Sequence, residues 1–126
     1  MRFMSLIKFD ESMSYGPPPP ALFAAMGEFA QEGAINGTLV EQGGLGSSAA
    51  GAIVSLVNGS ISTHDGPFTE AKELIGGYAV IEVRSKDEAI EWTSRFMALH
   101  RDLWPGWEGT ADVLKVFGPE DFGPPA

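Results

Sequence analysis

The stretch His64-Asp65-Gly66-Pro67-Phe68-Thr69-Glu70-Ala71-Lys72-Glu73 brings three acids, Asp65 foremost, two basic groups and an aromatic ring together within ten residues. Acid/base chemistry on a small molecule is what such types offer. Two readings of Asp65 stand side by side. As a turn residue before Gly-Pro, its carboxylate accepts hydrogen bonds from nearby backbone N–H groups, and Pro67 suits the first position of a short helical turn over 69–73. As a carboxylate at the mouth of an apolar cavity, it loses solvation for its charged form and becomes a usable proton acceptor or donor. The two roles are compatible. Lys72 and Glu70 read as a solvated pair before they read as catalytic groups. Phe68 and Lys72 are expected ligand contacts, with Tyr78 and Trp104 further along the chain.

The chain has two histidines, His64 and His100, and no cysteine. A thiolate nucleophile, a disulfide framework and Cys-ligated metal sites are thereby excluded. No H-x-x-x-H or similar spacing exists, so neither a metal nor another cofactor is expected. His100 falls at a predicted helix end beside Leu103-Trp104-Pro105-Gly106-Trp107, a rigid aromatic loop. It either caps the negative end of that helix or faces a cavity between sheet and loop. His64 reads as an exposed strand residue, unless its face meets a second copy; in that case both histidines are candidates to assist Asp65. Trp104 and Trp107 read as packing or as a substrate clamp.

What positions these groups is a series of short elements. Residues 51–64 form a predicted hairpin around Asn58-Gly59, because both central residues of a type I′ turn need φ > 0. The two-residue loop sets Val57 opposite Ser60, Leu56 opposite Ile61, Ser55 opposite Ser62, Val54 opposite Thr63 and Ile53 opposite His64. Val54, Leu56, Ile61 and Thr63 then share one face, expected inward, with Asp65 on their side. His64 and Asp65 point to opposite sides and form no dyad with each other.

Residues 1–9 read as a strand with Phe3, Ile7 and Phe9 on one face and Met4 and Leu6 on the other. Residues 10–15 are a polar loop, and 17–20 are a proline run: a rigid lead-in, or a docking ligand for a proline-reading domain. Residues 21–32 carry a helical stripe of Leu22, Phe23, Met26, Phe29 and Ala30, with Gly33 as the stop. A short strand over 38–42 leads into the glycine-rich residues 43–51, a flexible crossover loop whose match to a phosphate loop is poor. Residues 77–84 form a strand. Ser85-Lys86-Asp87-Glu88 is a capping box opening a helix through His100 that buries Ala89, Trp92, Phe96 and Leu99. Residues 110–117 are the last strand, and 118–126 a Gly/Pro tail.

The 126 residues suffice for one domain, spanning 1–126. A net charge of −9, with eight basic residues scattered, disfavours nucleic acid and anionic membrane as partners. The short apolar run at the N-terminus does not fit a signal peptide, and a cytoplasmic location is expected.

The order β-α-β-(β-hairpin)-β-α-β fits an α+β, ferredoxin-like antiparallel sheet with two helices on one face. Several strands are apolar on both faces: Phe3/Ile7 against Met4/Leu6, and Val113/Phe117 against Leu114/Val116. Two helices cover one side only. The expected cover for the other is a second copy, packed sheet to sheet about a two-fold axis.

Along nearly its whole length the chain resembles DGPF-type members of the YCII-related family. The stretches that carry this are Met1-Arg2-Phe3-Met4, residues 65–73 followed by Leu74-Ile75-Gly76-Gly77-Tyr78, and Ala89-Ile90-Glu91-Trp92. Trp104-Pro105-Gly106-Trp107-Glu108-Gly109 and Pro119-Glu120-Asp121-Phe122-Gly123 complete the set. The resemblance implies a dimeric α+β barrel and an enzymatic role resting on an acid and a histidine. The acid maps onto Asp65; the family's histidine sits in the first helix, where this chain has none. Two functions are expected from this. One is a cofactor-free lyase or isomerase acting by proton transfer on a small organic molecule, with Asp65 as acid or base and His100 or His64 assisting. The other is a non-catalytic module binding a small ligand or a partner, since some relatives are associated with extracytoplasmic-function sigma factors.

Overall fold

The computed structural model describes residues 1–13, 15–68 and 73–123. Its elements are β1 (Arg2–Phe9), α1 (Pro20–Ile35), β2 (Leu39–Gly44), β3 (Ala52–Val57), β4 (Ser60–Asp65), β5 (Leu74–Glu82), α2 (Lys86–Leu103) and β6 (Thr110–Val116). β2, β5, β1 and β6 form one antiparallel sheet in that order, and β3–β4 stand apart as a two-stranded sheet. This is the α+β, ferredoxin-like arrangement, with the hairpin inserted between the second and third sheet strands.

Alternation sorts β1 cleanly. Phe3 and Ser5 are buried beneath the helices, while Met4 and Leu6 stay half-buried on the far face. Ile81 lies opposite both Phe3 and Leu39, so neighbouring strands enclose it on each side. With Val83 and Ala89 these residues make the core. Residues 89, 93 and 100 of α2 are its buried positions, the spacing of one helical face. Thr93 and Ser5 satisfy each other there through a 2.6 Å hydroxyl pair.

The glycine at position 33 does not stop α1. The helix runs through it to Ile35, and Gly33 is buried against Leu39, where a Cβ would come within 3.0 Å of the leucine Cβ. Its small size serves helix–strand packing. At α2 the Ser85 hydroxyl accepts the Glu88 N–H at 3.1 Å as expected. The reciprocal half differs: the Glu88 carboxylate accepts the Arg84 N–H at 2.8 Å, one residue ahead of Ser85.

The hairpin has the register that its Asn-Gly turn dictates, and Asn58 and Gly59 both have positive φ. Its facing is the larger correction. Val54, Leu56 and Ile61, expected inward, are 68%, 71% and 74% exposed, and Thr63 is exposed too. β3 and β4 pack chiefly on each other, so among the described residues no layer of the chain lies over either face.

The face of the main sheet without helices carries the row Val80–Met4–Leu114 across three strands, with Leu6 and Val116 beside it. Ion pairs flank this row at both ends: Arg2–Glu82 at 3.2 Å and Lys8–Asp112 at 2.6 Å. Among the described residues, no helix is long and apolar enough to cross a membrane.

Candidate functional site

The glycine-rich residues 43–51, expected to be flexible, are pinned. Ser48 is buried in a short helical turn, Ser48–Ala50. Its N–H and hydroxyl donate to the two carboxylate oxygens of Glu11 at 2.8 and 2.6 Å. Its oxygen in turn accepts the Phe68 N–H at 3.1 Å. The Gly66 N–H closes the base of the hairpin onto the Gly51 carbonyl at 2.9 Å. The 65–68 turn is therefore bound, through Ser48, to Glu11.

Glu11 stands on the wall of a cleft of about 1060 Å³. The small residues Ser5 and Ala79 are part of its floor, with Ile7 and Phe9 beside them. Phe23, Met26 and Gly27 of α1 form one wall, and Trp92, Phe96 and His100 of α2 the other. Phe23 was expected in the buried stripe of α1; it is 58% exposed because it faces this opening. The rim is Tyr15 and the Trp104–Trp107 turn, closed by the Trp107 N–H on the Trp104 carbonyl at 3.1 Å.

The aromatic wall is continuous. Phe29 meets Trp92 at 4.9 Å between ring centroids, Trp92 meets Phe96 at 6.2 Å, Phe96 meets His100 at 4.9 Å and His100 meets Trp107 at 4.7 Å. These separations are those of favourable aromatic pairs. Trp92, Phe96, His100 and Trp104 recur every four residues, which places them along one side of α2 and its exit. That spacing is legible in the sequence; read as core positions, it conceals a ring-lined wall.

His100 is 6% exposed. Its Nδ1 lies 3.1 Å from the Phe96 carbonyl oxygen, which can only accept. Nδ1 therefore carries the proton, and Nε2 keeps its lone pair. Burial pushes the His100 pKa down, partly opposed by that hydrogen bond. The ring is thus held neutral at physiological pH. Below the ordinary value of 6.5 the unfolded chain takes up a proton that folded His100 refuses, so this contribution to stability is complete above 6.5. It is lost as pH falls toward the depressed folded value. The thermal midpoint of the parent should drop more than that of His100→Phe between about pH 7 and about pH 5.5. Parallel curves for the two proteins would contradict this.

The expected site residues separate into two places. His100 and Trp104 line the cleft. Tyr78 borders it, but its ring lies over Gly43 and its hydroxyl donates to Glu41 at 3.1 Å. Asp65 and His64 are exposed on β4, opposite Ala52 and Ile53, and neither lines the cleft. The Asp65 side chain is exposed, not held in an apolar cavity, and accepts no hydrogen bond among the described residues. Phe68 is half-buried with its ring on Gly51, outside the cleft. Lys72, and the 69–72 part of the expected helical turn, lie outside the described residues. Glu11, Ser48, Tyr15 and Trp107 complete the surroundings. The first two meet across 37 positions of sequence, and no local pattern announces the pair.

Among the described residues no group of three or more His, Asp or Glu side chains is placed to hold a metal ion. The family model described as YCII-related domain matches residues 1–104. No curated protein matches the chain.

Proposed function

Since the chain belongs to the YCII-related domain family, which by itself names no reaction, we propose that it is a small-ligand-binding domain of regulatory type. The observation that carries this reading is the ring-walled cleft. Its size of about 1060 Å³ matches an organic molecule of drug-like dimensions, and its lining is mainly apolar with a few polar groups, the usual constitution of such sites. Proton transfer by Asp65 draws no support from a carboxylate that is exposed and outside the cleft.

The test uses the uncharged fluorophore N-phenyl-1-naphthylamine. We expect saturable binding of one probe per chain. Gly27 lines the cleft, and nothing lies within 4 Å of where its Cβ would be. Gly27→Trp should therefore fill the site and remove binding without loss of thermal stability, since replacing a mid-helix glycine favours the helix. Asp65→Asn should bind like the parent. Binding that survives Gly27→Trp but fails in Asp65→Asn would return the site to the 65–68 turn.

A sheet-to-sheet homodimer belongs to the same proposal. The Val80–Met4–Leu114 row flanked by ion pairs has the apolar centre and polar rim of a protein interface. Such a dimer would cover the sheet face that the two helices leave open.

A further inference from the structure

We infer that the cleft selects an uncharged, planar aromatic ligand bearing a hydrogen-bond donor such as a hydroxyl, whose hydrogen His100 Nε2 accepts; this rests on the ligand-binding reading above and gives its ligand class. Three observations lead there.

The first is the direction of His100. Nδ1 is committed to the Phe96 carbonyl of its own helix, so the opposite edge of the ring faces away from that helix. Nε2 makes no hydrogen bond among the described residues. Among the described residues no buried side-chain nitrogen or oxygen is sealed without a partner. His100 itself lines the cleft, so Nε2 is offered to it as an acceptor. A neutral imidazole so fixed rewards a donor and offers nothing to a carbonyl or ether oxygen. The low basicity that burial gives His100 keeps it in this acceptor form.

The second is charge. Among the described residues no lysine or arginine lines the cleft, and the one carboxylate there, Glu11, has both oxygens engaged by Ser48. In a chain of net charge −9, an anionic ligand would enter without a counter-charge.

The third is ring geometry. Trp104 and Trp107 are stacked at 18°, and His100 lies 28° from the plane of Trp104, while Tyr15 stands edge-on to Trp104 at 72°. The near-parallel faces of the first three suit a flat guest, with Tyr15 across the rim.

The test compares 2-naphthol, 2-methoxynaphthalene and 2-naphthoate by isothermal titration at neutral pH, with benzyltrimethylammonium as the cationic probe. The first two share ring and oxygen and differ in the donor. We expect 2-naphthol to bind about tenfold more tightly than its methyl ether, the worth of one hydrogen bond in a dry site. The naphthoate and the ammonium ion should bind more weakly than either. His100→Phe should erase the difference between naphthol and ether, and His100→Gln, which retains an acceptor, should restore part of it. Equal binding of naphthol and ether to the parent overturns the inference and leaves the ligand-binding reading standing; this comparison decides even where a His100 variant does not fold. Preference for the anion or the cation overturns it as well. Saturable binding by none of the four, and none by N-phenyl-1-naphthylamine, removes both.

Discussion

Gly66→Ala should lower the thermal midpoint by about 10 °C, corresponding to about 3 kcal/mol in a domain of this size. The cause is a collision with backbone. A Cβ at Gly66 would fall inside the carbonyl oxygen of Ser48 and against its carbonyl carbon. No rotamer can relieve this, because neither partner is a side chain. The 65–68 turn must move off the Ser48–Ala50 turn. The Gly66 N–H bond to Gly51 and the Phe68 N–H bond to Ser48 then go with it. Ser48 in turn positions Glu11 on the cleft wall, so probe affinity should fall together with stability. Asp65→Ala, one residue earlier and exposed, should change stability by under about 0.5 kcal/mol. Urea denaturation of the two variants side by side checks the contrast. Equal and small effects would show that the turn is not bound as described.

Trp92→Ala carries the second large effect, about 3 kcal/mol of destabilisation, the lower end for loss of a packed tryptophan because this ring also faces the cleft. Trp92 packs on Phe29 of α1 at 4.9 Å, stacks on Phe96, and brings its indole nitrogen to 3.8 Å from the Cβ position of Gly33. Trp92 thus joins α2 both to α1 and to the edge of the core. Its removal extends the cleft into the helix–helix contact, so naphthyl probes should lose affinity as well. The Phe29→Ala, Trp92→Ala double variant should cost less than the sum of the two single changes, since one contact is counted twice. Strict additivity in chemical denaturation would contradict the direct packing.

The parts of this fold that were legible in the sequence are those fixed by neighbouring residues. Asn58-Gly59 dictated the pairing of Leu56 with Ile61 and of Ile53 with His64, because a two-residue loop leaves no other register. The same pattern could not say what lies against the hairpin. Alternation states which residues share a face; whether Val54, Leu56 and Ile61 are covered depends on a layer that is absent among the described residues. Gly33 carried the local mark of a helix stop, but Leu39 packs against it and the helix continues. A tertiary contact overrode a propensity of about 1 kcal/mol. At the site, the place of His100 beside the aromatic loop was visible from helix length. Its tautomer was not, since that follows from a distance to Phe96. Asp65 drew attention through the residues around it. Burial and partners decide whether a carboxylate does chemistry, and neither is written locally. Glu11 and Ser48 appear in sequence as members of two unrelated polar loops, and only folding joins them.

All three tryptophans of the chain, Trp92, Trp104 and Trp107, line the cleft, whereas His64 and Asp65 lie outside it. The most direct measurement is therefore a ¹H–¹⁵N correlation spectrum recorded while N-phenyl-1-naphthylamine is added. The three indole N–H signals should shift together and saturate at one probe per chain, with the backbone amides of His64 and Asp65 unmoved. Shifts centred on His64, Asp65 and Phe68, with the indoles stationary, would contradict the cleft as the site.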